Sequence, residues 1–297
     1  MREIKLLSLD WHVSRLRNRE YYSFVRWDHN PMNALVFTSG LQKKGPALRL
    51  KFSPELNRKM QIALSKYYEE KDLIFSCPGS IWQGINSYGK AWMKKYNLWD
   101  IDWVESTVFK GASNNGTLFP LVKELRRHKI IVIGPNFLKL LSGHVFKYID
   151  FIEIHPRTGW NDFSISKRIL SCKQKYGNGI LYAFSAGIGS CLSICNLHRS
   201  MNENFLIDFG SVWDNFCGRL SRGYMKPLRY PKSRLWRNLG KSEEECLKQE
   251  QLEKIERPQL IKEFRRQKRL KLSLQQRTHK KYKRAKINDL RLDFGRN

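Results

Sequence analysis

The sequence predicts an α/β protein: a doubly wound, mostly parallel, Rossmann-like sheet followed by a basic α-helical C-terminal extension. Three observations carry this expectation. Apolar runs at Ile130–Ile133, Ile180–Phe184 and Phe205–Ile207 each open at once into small, hydroxyl or acidic residues. The second and third runs are separated by a segment of helical length, and strand, helix, strand at that spacing means right-handed crossovers between parallel strands. The third exit, Asp208 to Arg219, delivers an acid, a glycine, a hydroxyl, a second acid and then Arg219 and Arg222. In open α/β sheets ligands bind at such strand ends, and this one is composed for an anion.

Taken in order, residues 20–27 read as a strand that runs into the polar turn Asp28-His29-Asn30-Pro31. Residues 54–70 read as a helix. Ser53 is its cap, Pro54 suits the first turn, and Leu56, Met60, Ile62, Ala63 and Tyr67 lie on the apolar face. Asp72–Cys77 is a short strand that ends at Pro78-Gly79. A tryptophan-rich stretch (Trp82, Trp92, Trp99, Trp103) follows as helix and loop. Helix 118–127 precedes strand 129–133, Phe137–Leu141 starts a helix, and Tyr148–Ile154 is a strand. Helix 162–176, strand 179–184, helix 187–199 and strand 205–209 complete the core, which we bound at residues 1–225. Beyond it, residues 226–297 are set apart as the extension. It comprises a connector, a charged helix 243–256, a break at Pro258 and a very basic helix 259–286 packed loosely or reaching into solvent.

The chain has 297 residues, 41% hydrophobic and 12% aromatic, which fits a folded domain with one core and an appendage. It has no apolar run of about 18 residues, which excludes a membrane-spanning helix. Its first residues are too charged for a secretion signal. The six cysteines lack paired CxxC spacing; Cys191 and Cys195 share a helical face, and two sulfurs do not complete a zinc site. Buried thiols in a reducing cytoplasm are the expectation. The 55 basic residues outnumber 27 acidic ones, for a net charge of +28. Residues 219–297 contribute 25 basic against 9 acidic, so the excess is concentrated in the extension. Such a surface attracts polyanions: nucleic acid, an anionic membrane or an acidic glycan.

Several constellations are candidates for chemistry. Ser185, Ala186, Gly187 and Gly189 between strand and helix let a phosphate approach backbone amides at a helix N-terminus, or simply make a tight turn. His155, at the end of strand 148–154 beside Arg157, is a candidate general base, or an ordinary loop histidine before proline. Asp28 and Asn30 offer hard oxygen ligands to a divalent cation, or belong to a solvated turn. Asp208, Ser211, Asp214, Arg219 and Arg222 form the densest cluster, to be read as a site or as caps and salt bridges. Asp208 and Asp214 are the candidate catalytic carboxylates.

Taken together, Phe24-Val-Arg-Trp-Asp-His-Asn30, Ile130-Ile-Val-Ile-Gly-Pro135, Phe184-Ser-Ala-Gly187 and Ile207-Asp-Phe-Gly-Ser-Val-Trp-Asp214 with Ser221-Arg222 resemble the GT-D type of glycosyltransferase. Phage and bacterial proteins share that fold, and the resemblance spans residues 20–225. It implies transfer of a sugar from a nucleoside-diphosphate sugar to an acceptor. It further implies that Arg26, Asp28, Ser185, Gly187, Ser211, Arg219 and Arg222 hold the donor. Asp28 and position 30 then stand where the family's Asp-x-Glu element binds a Mn or Mg ion. The glutamate of that element is replaced by Asn30, a neutral and weaker ligand, and the preceding glycine is missing. The competing expectation is a non-enzymatic nucleic-acid-binding protein, phage-encoded or part of a larger assembly. The charge and the aromatics interleaved with cations (Tyr224, Tyr230, Trp236, Tyr282) motivate it.

Overall fold

The computed structural model describes residues 4–28, 31, 54–67, 70–79, 94, 101–155, 164–219 and 230–293. Among these residues seven strands make one sheet: β1 (Ser23–Arg26), β2 (Leu73–Cys77), β3 (Val104–Glu105), β4 (Ile130–Gly134), β5 (Asp150–Glu153), β6 (Leu181–Phe184) and β7 (Phe205–Asp208). Their order is β3-β2-β1-β7-β6-β4-β5, and every pairing is parallel. All residues of β1, β4, β6 and β7 are buried. That explains their continuous apolar runs, since a parallel sheet is covered on both faces.

The pleat assigns alternate residues to two cores. On one face Val25, Trp27, Ile131, Ile133, Tyr182, Phe184 and Leu206 meet α2 (Pro54–Tyr67), α5 (Ser164–Tyr176) and α6 (Ile188–Leu197). On the other, Phe24, Val132, Leu181, Ala183, Phe205 and Ile207 meet α1 (Leu9–Asn18), α3 (Val108–Asn115) and α4 (Phe119–Leu125). Helix α1 is an element the sequence reading did not anticipate. Ser8 caps it by accepting from the Trp11 amide at 3.1 Å, and Arg19 closes it in the left-handed conformation. Trp103 is core, beside Phe75. The six cysteines are free and buried. Among the described residues no helix is long and apolar enough to cross a membrane.

The extension divides differently from the expected boundary at 225/226. Helix α7 (Lys232–Leu239) packs on α3 and α4. Asn238 is fully buried there: its side chain accepts from the Leu118 amide at 2.9 Å and donates to the Ser113 carbonyl and the Tyr230 hydroxyl, each at 2.8 Å. Helix α8 then runs unbroken from Glu243 to Asp293 with Pro258 inside it. Its first turns are fastened to α7, because Glu253 accepts from the Ser233 amide and hydroxyl and Arg237 pairs with Glu243 and Glu250. Polar anchors on one short helix thus bring residues 230–253 into the body of the molecule. An apolar-periodicity reading does not register anchors of that kind.

Candidate functional site

The strand order sets the site. The chain leaves β1 toward β2 and β3 on one side and later returns by way of β4, β5 and β6 to lay β7 on the other side of β1. The C-terminal ends of β1 and β7 therefore open side by side at the point where the winding reverses, the usual ligand crevice of an open α/β sheet.

Arg26 is the centre of this crevice. Its side chain is only 9% exposed. Nε donates to the Ser106 carbonyl at 3.2 Å, and Nη2 donates to Asp28 Oδ2 at 2.7 Å. The other Asp28 oxygen accepts from the Ser106 hydroxyl at 3.0 Å. Across the crevice Asp208 Oδ1 accepts from the Gly210 amide at 2.8 Å. Gly210 has φ +58, and a Cβ there would lie 1.5 Å from Arg26 Nη1. Glycine is required twice over, by the backbone angle and by the guanidinium packed against it.

Burial pushes the Asp208 carboxyl up to about 7, although Arg26 opposes the shift by stabilising the charged form. The Ser190 hydroxyl also donates to Asp208 and in turn accepts from the Ala186 amide at 3.0 Å. Helix α6 thus begins directly against β7. Its Cys191 thiol donates to the Arg26 carbonyl at 3.0 Å, which ties the same helix to β1. Gly187 precedes the helix at φ 60 and ψ −126 with no side-chain cap. A helix start presents backbone amides that have no intrahelical acceptor; here the Ser190 amide donates to the Gly187 carbonyl at 3.0 Å. The Ser185 hydroxyl, just past the end of β6, is buried with no hydrogen-bond partner among the described residues.

The residues expected at the site are distributed as follows. Arg26, Asp28, Asp208, Ser185 and Gly187 gather at the adjoining ends of β1, β7 and β6. Ser211 and Asp214 lie in the turn that follows β7, where the Asp214 carbonyl accepts from the Arg219 amide at 2.8 Å. The Arg219 guanidinium lies 5.1 Å from the centre of the Phe137 ring, on the β4 side of the crevice. His155 is exposed just beyond β5, the edge strand. It is three strands from β7, about 14 Å at the usual spacing, and does not join the Arg26 cluster. Asn30 and Arg222 lie outside the described residues, as do Trp82, Trp92, Trp99 and Tyr224.

Two site residues escaped the sequence reading. Ser106 braces both Arg26 and Asp28. Glu105 accepts from the Gly79 and Thr107 amides, each at 2.9 Å, and so joins the exits of β2 and β3. The available signal was the acid-hydroxyl pair Glu105-Ser106 just after the buried Trp103-Val104.

Asp28 is the carboxylate of this cluster that faces solvent, with a side chain 37% exposed, while Asp208 and Asp214 are buried. Among the described residues no three His, Cys, Asp or Glu side chains gather as a metal cage. Both Asp28 oxygens already have partners in Arg26 and Ser106. One carboxylate engaged in this way does not make a metal site by itself; a Mg or Mn ion here would need its remaining ligands from the phosphates of a ligand.

No family model matches the chain, and no curated protein matches its sequence. Among solved structures it is similar to one described as a new glycosyltransferase (DUF1792) from Streptococcus sanguinis. The TM-score is 0.50 at 15% identity, over 73% of this chain and 86% of that one. Two further DUF1792 structures, one described as having a distinct glycosyltransferase fold, give TM-scores of 0.46 at 16% identity, over 73% of this chain and 83% of theirs. With its all-parallel sheet and a crevice between β1 and β7, the chain has the GT-D type of glycosyltransferase fold.

Proposed function

We propose that the chain is a glycosyltransferase that takes a sugar from a nucleoside-diphosphate sugar. The observation that carries this reading is the buried Arg26 guanidinium, fixed by Ser106, Asp28 and the Gly210 backbone at the switch point of the sheet. Its position, once set, does not have to reorganise when charge develops on a leaving diphosphate, the condition under which an electrostatic contact accelerates a reaction. The first amides of α6 and the Ser185 hydroxyl add donors along the same rim. Arg219, from the β4 side, supplies a second cation.

Asp28 faces the ligand. A divalent cation bound there with the donor's phosphates would supply Lewis-acid stabilisation of the leaving group. The burial of Asp208 gives it a positioning role: it holds the Gly210 turn and shares the field of Arg26, and so fixes the guanidinium from the β7 side. Asp214 orders the turn that carries Arg219.

The test is calorimetric and thermal titration of the full chain with UDP and other nucleoside diphosphates, with and without Mn²⁺. Ligand at about a hundred times Kd should stabilise the fold by about 2.7 kcal/mol, and Arg26→Gln should remove most of that gain. Absence of any stabilisation by every nucleotide at millimolar concentration would overturn the proposal.

A further inference from the structure

We propose that the exposed cationic stretch of α8 around Lys262–Ser273 binds the phosphate backbone of nucleic acid without sequence preference. Beyond the anchors at Glu250 and Glu253 the helix leaves the body of the molecule, and residues 254–260 are all exposed. Between Arg257 and Lys286 the sequence holds thirteen Lys and Arg and a single acid, Glu263, which lies 3.7 Å from Arg266 and accepts from Gln267 at 3.1 Å. Lys262, Arg265, Arg266, Arg269, Leu270 and Ser273 line one shallow concavity along the helix. At 3.6 residues per turn Lys262, Arg265, Arg266, Arg269 and Ser273 fall within about 60° of one another's mean direction, so four cations share a face over about 10 Å of axis. Duplex nucleic acid carries one negative charge per about 1.7 Å of its own axis, so that face opposes several phosphates at once.

The alternative polyanion, an acidic membrane surface, requires an apolar face opposite the basic one. The exposed apolar side chains here do not provide it: Ile255, Leu260, Leu270 and Leu274 are 76%, 43%, 54% and 61% exposed. These four are strung over about 29 Å of axis and centre about 100° from the cations, beside the basic face rather than opposite it. That leaves charge as the main attraction, and a charge-dominated attraction suits a densely charged rod. This inference does not rest on the transferase reading, because α8 reaches it through contacts with α7 and not through the crevice.

The experiment is fluorescence anisotropy of the full chain with a labelled duplex DNA of arbitrary sequence, and with its single strand, between about 50 and 200 mM NaCl. Wild-type protein should bind both, with log K falling steeply against log salt. The variant K262Q/R265Q/R266Q/R269Q should bind at least tenfold more weakly, with the salt slope reduced by about 3–4. The charge-keeping variant R265K/R266K/R269K should retain binding. Removal of four exposed core cations in K123Q/K129Q/K147Q/K167Q should leave the slope unchanged. Circular dichroism and thermal melts verify that each variant is folded. A wild-type slope in the arm variant, or no binding at low salt, overturns the proposal. So does preferential capture by phosphatidylserine vesicles that nucleic acid fails to compete away.

Discussion

The Nη1 atom of Arg26 occupies the space that a Cβ on residue 210 would need: the two positions are 1.5 Å apart. Arg26 ends the first strand of the sheet and Gly210 follows the last, so their contact closes the crevice between β1 and β7. Asp28 and Asp208 face the same guanidinium from the two sides. Its charge therefore lowers the cost of holding two carboxylates close together in a largely buried place.

Gly210→Ala follows directly. Alanine at φ +58 costs about 1–2 kcal/mol of backbone strain, and its methyl group expels the guanidinium. The expected outcome is a folded protein, slightly lower in thermal midpoint, that has lost nucleoside-diphosphate binding at least tenfold by calorimetry. Unchanged affinity would show that Arg26 is not a ligand contact.

Asp208 gives stability a definite pH dependence. A carboxyl whose folded value is raised to about 7 contributes no penalty below the ordinary carboxylate range. Stability is then lost as pH rises from about 4 to about 7 and stays level above that. Asp208→Asn keeps an oxygen for the Gly210 amide and removes the ionisation. The variant should gain on wild type through this window by on the order of 2–4 kcal/mol, measured by urea unfolding at a series of pH values. Arg26→Gln should extend the declining window to higher pH, since Arg26 is what holds the value down. A stability difference that does not change with pH would contradict both statements.

Asn238→Ala should destabilise by about 2–4 kcal/mol. Its amide serves three partners, Leu118, Ser113 and Tyr230, in a fully buried position. Chemical denaturation monitored by tryptophan fluorescence reads this change, and a loss below about 0.5 kcal/mol would mean that α7 does not hold the core.

Truncation separates the two parts of the C-terminal region. A chain ending after Glu256 keeps α7 and the turns of α8 that clasp it, and should melt within a few degrees of the full chain. A chain ending before Tyr230 exposes the buried faces of α3 and α4 and should be strongly destabilised or insoluble. Equal melting of the two truncated chains would count against the anchoring role of Asn238 and Glu253.

The sequence by itself determined the class of sheet. Strands such as Ile130–Ile133 and Phe205–Ile207 are buried on both faces and must be apolar at every position, a signal that needs no partner to be read. It also marked the strand ends where Arg26, Asp28, Asp208 and Gly210 interrupt or follow those runs with polar or conformationally special residues. The tertiary structure alone decided the order β3-β2-β1-β7-β6-β4-β5, since crossovers choose neighbours through packing between distant segments. It alone placed Gly210 against Arg26 and left His155 at the far edge of the sheet. Ser106 and Glu105 escaped because β3 is two residues long and has no periodicity to detect, which left only the acid-hydroxyl pair itself as a signal. The pinning of α7 by Asn238 was decided in the same way. A local rule reads the propensity of a residue, whereas a buried hydrogen bond to a chain segment more than a hundred residues away overrides it.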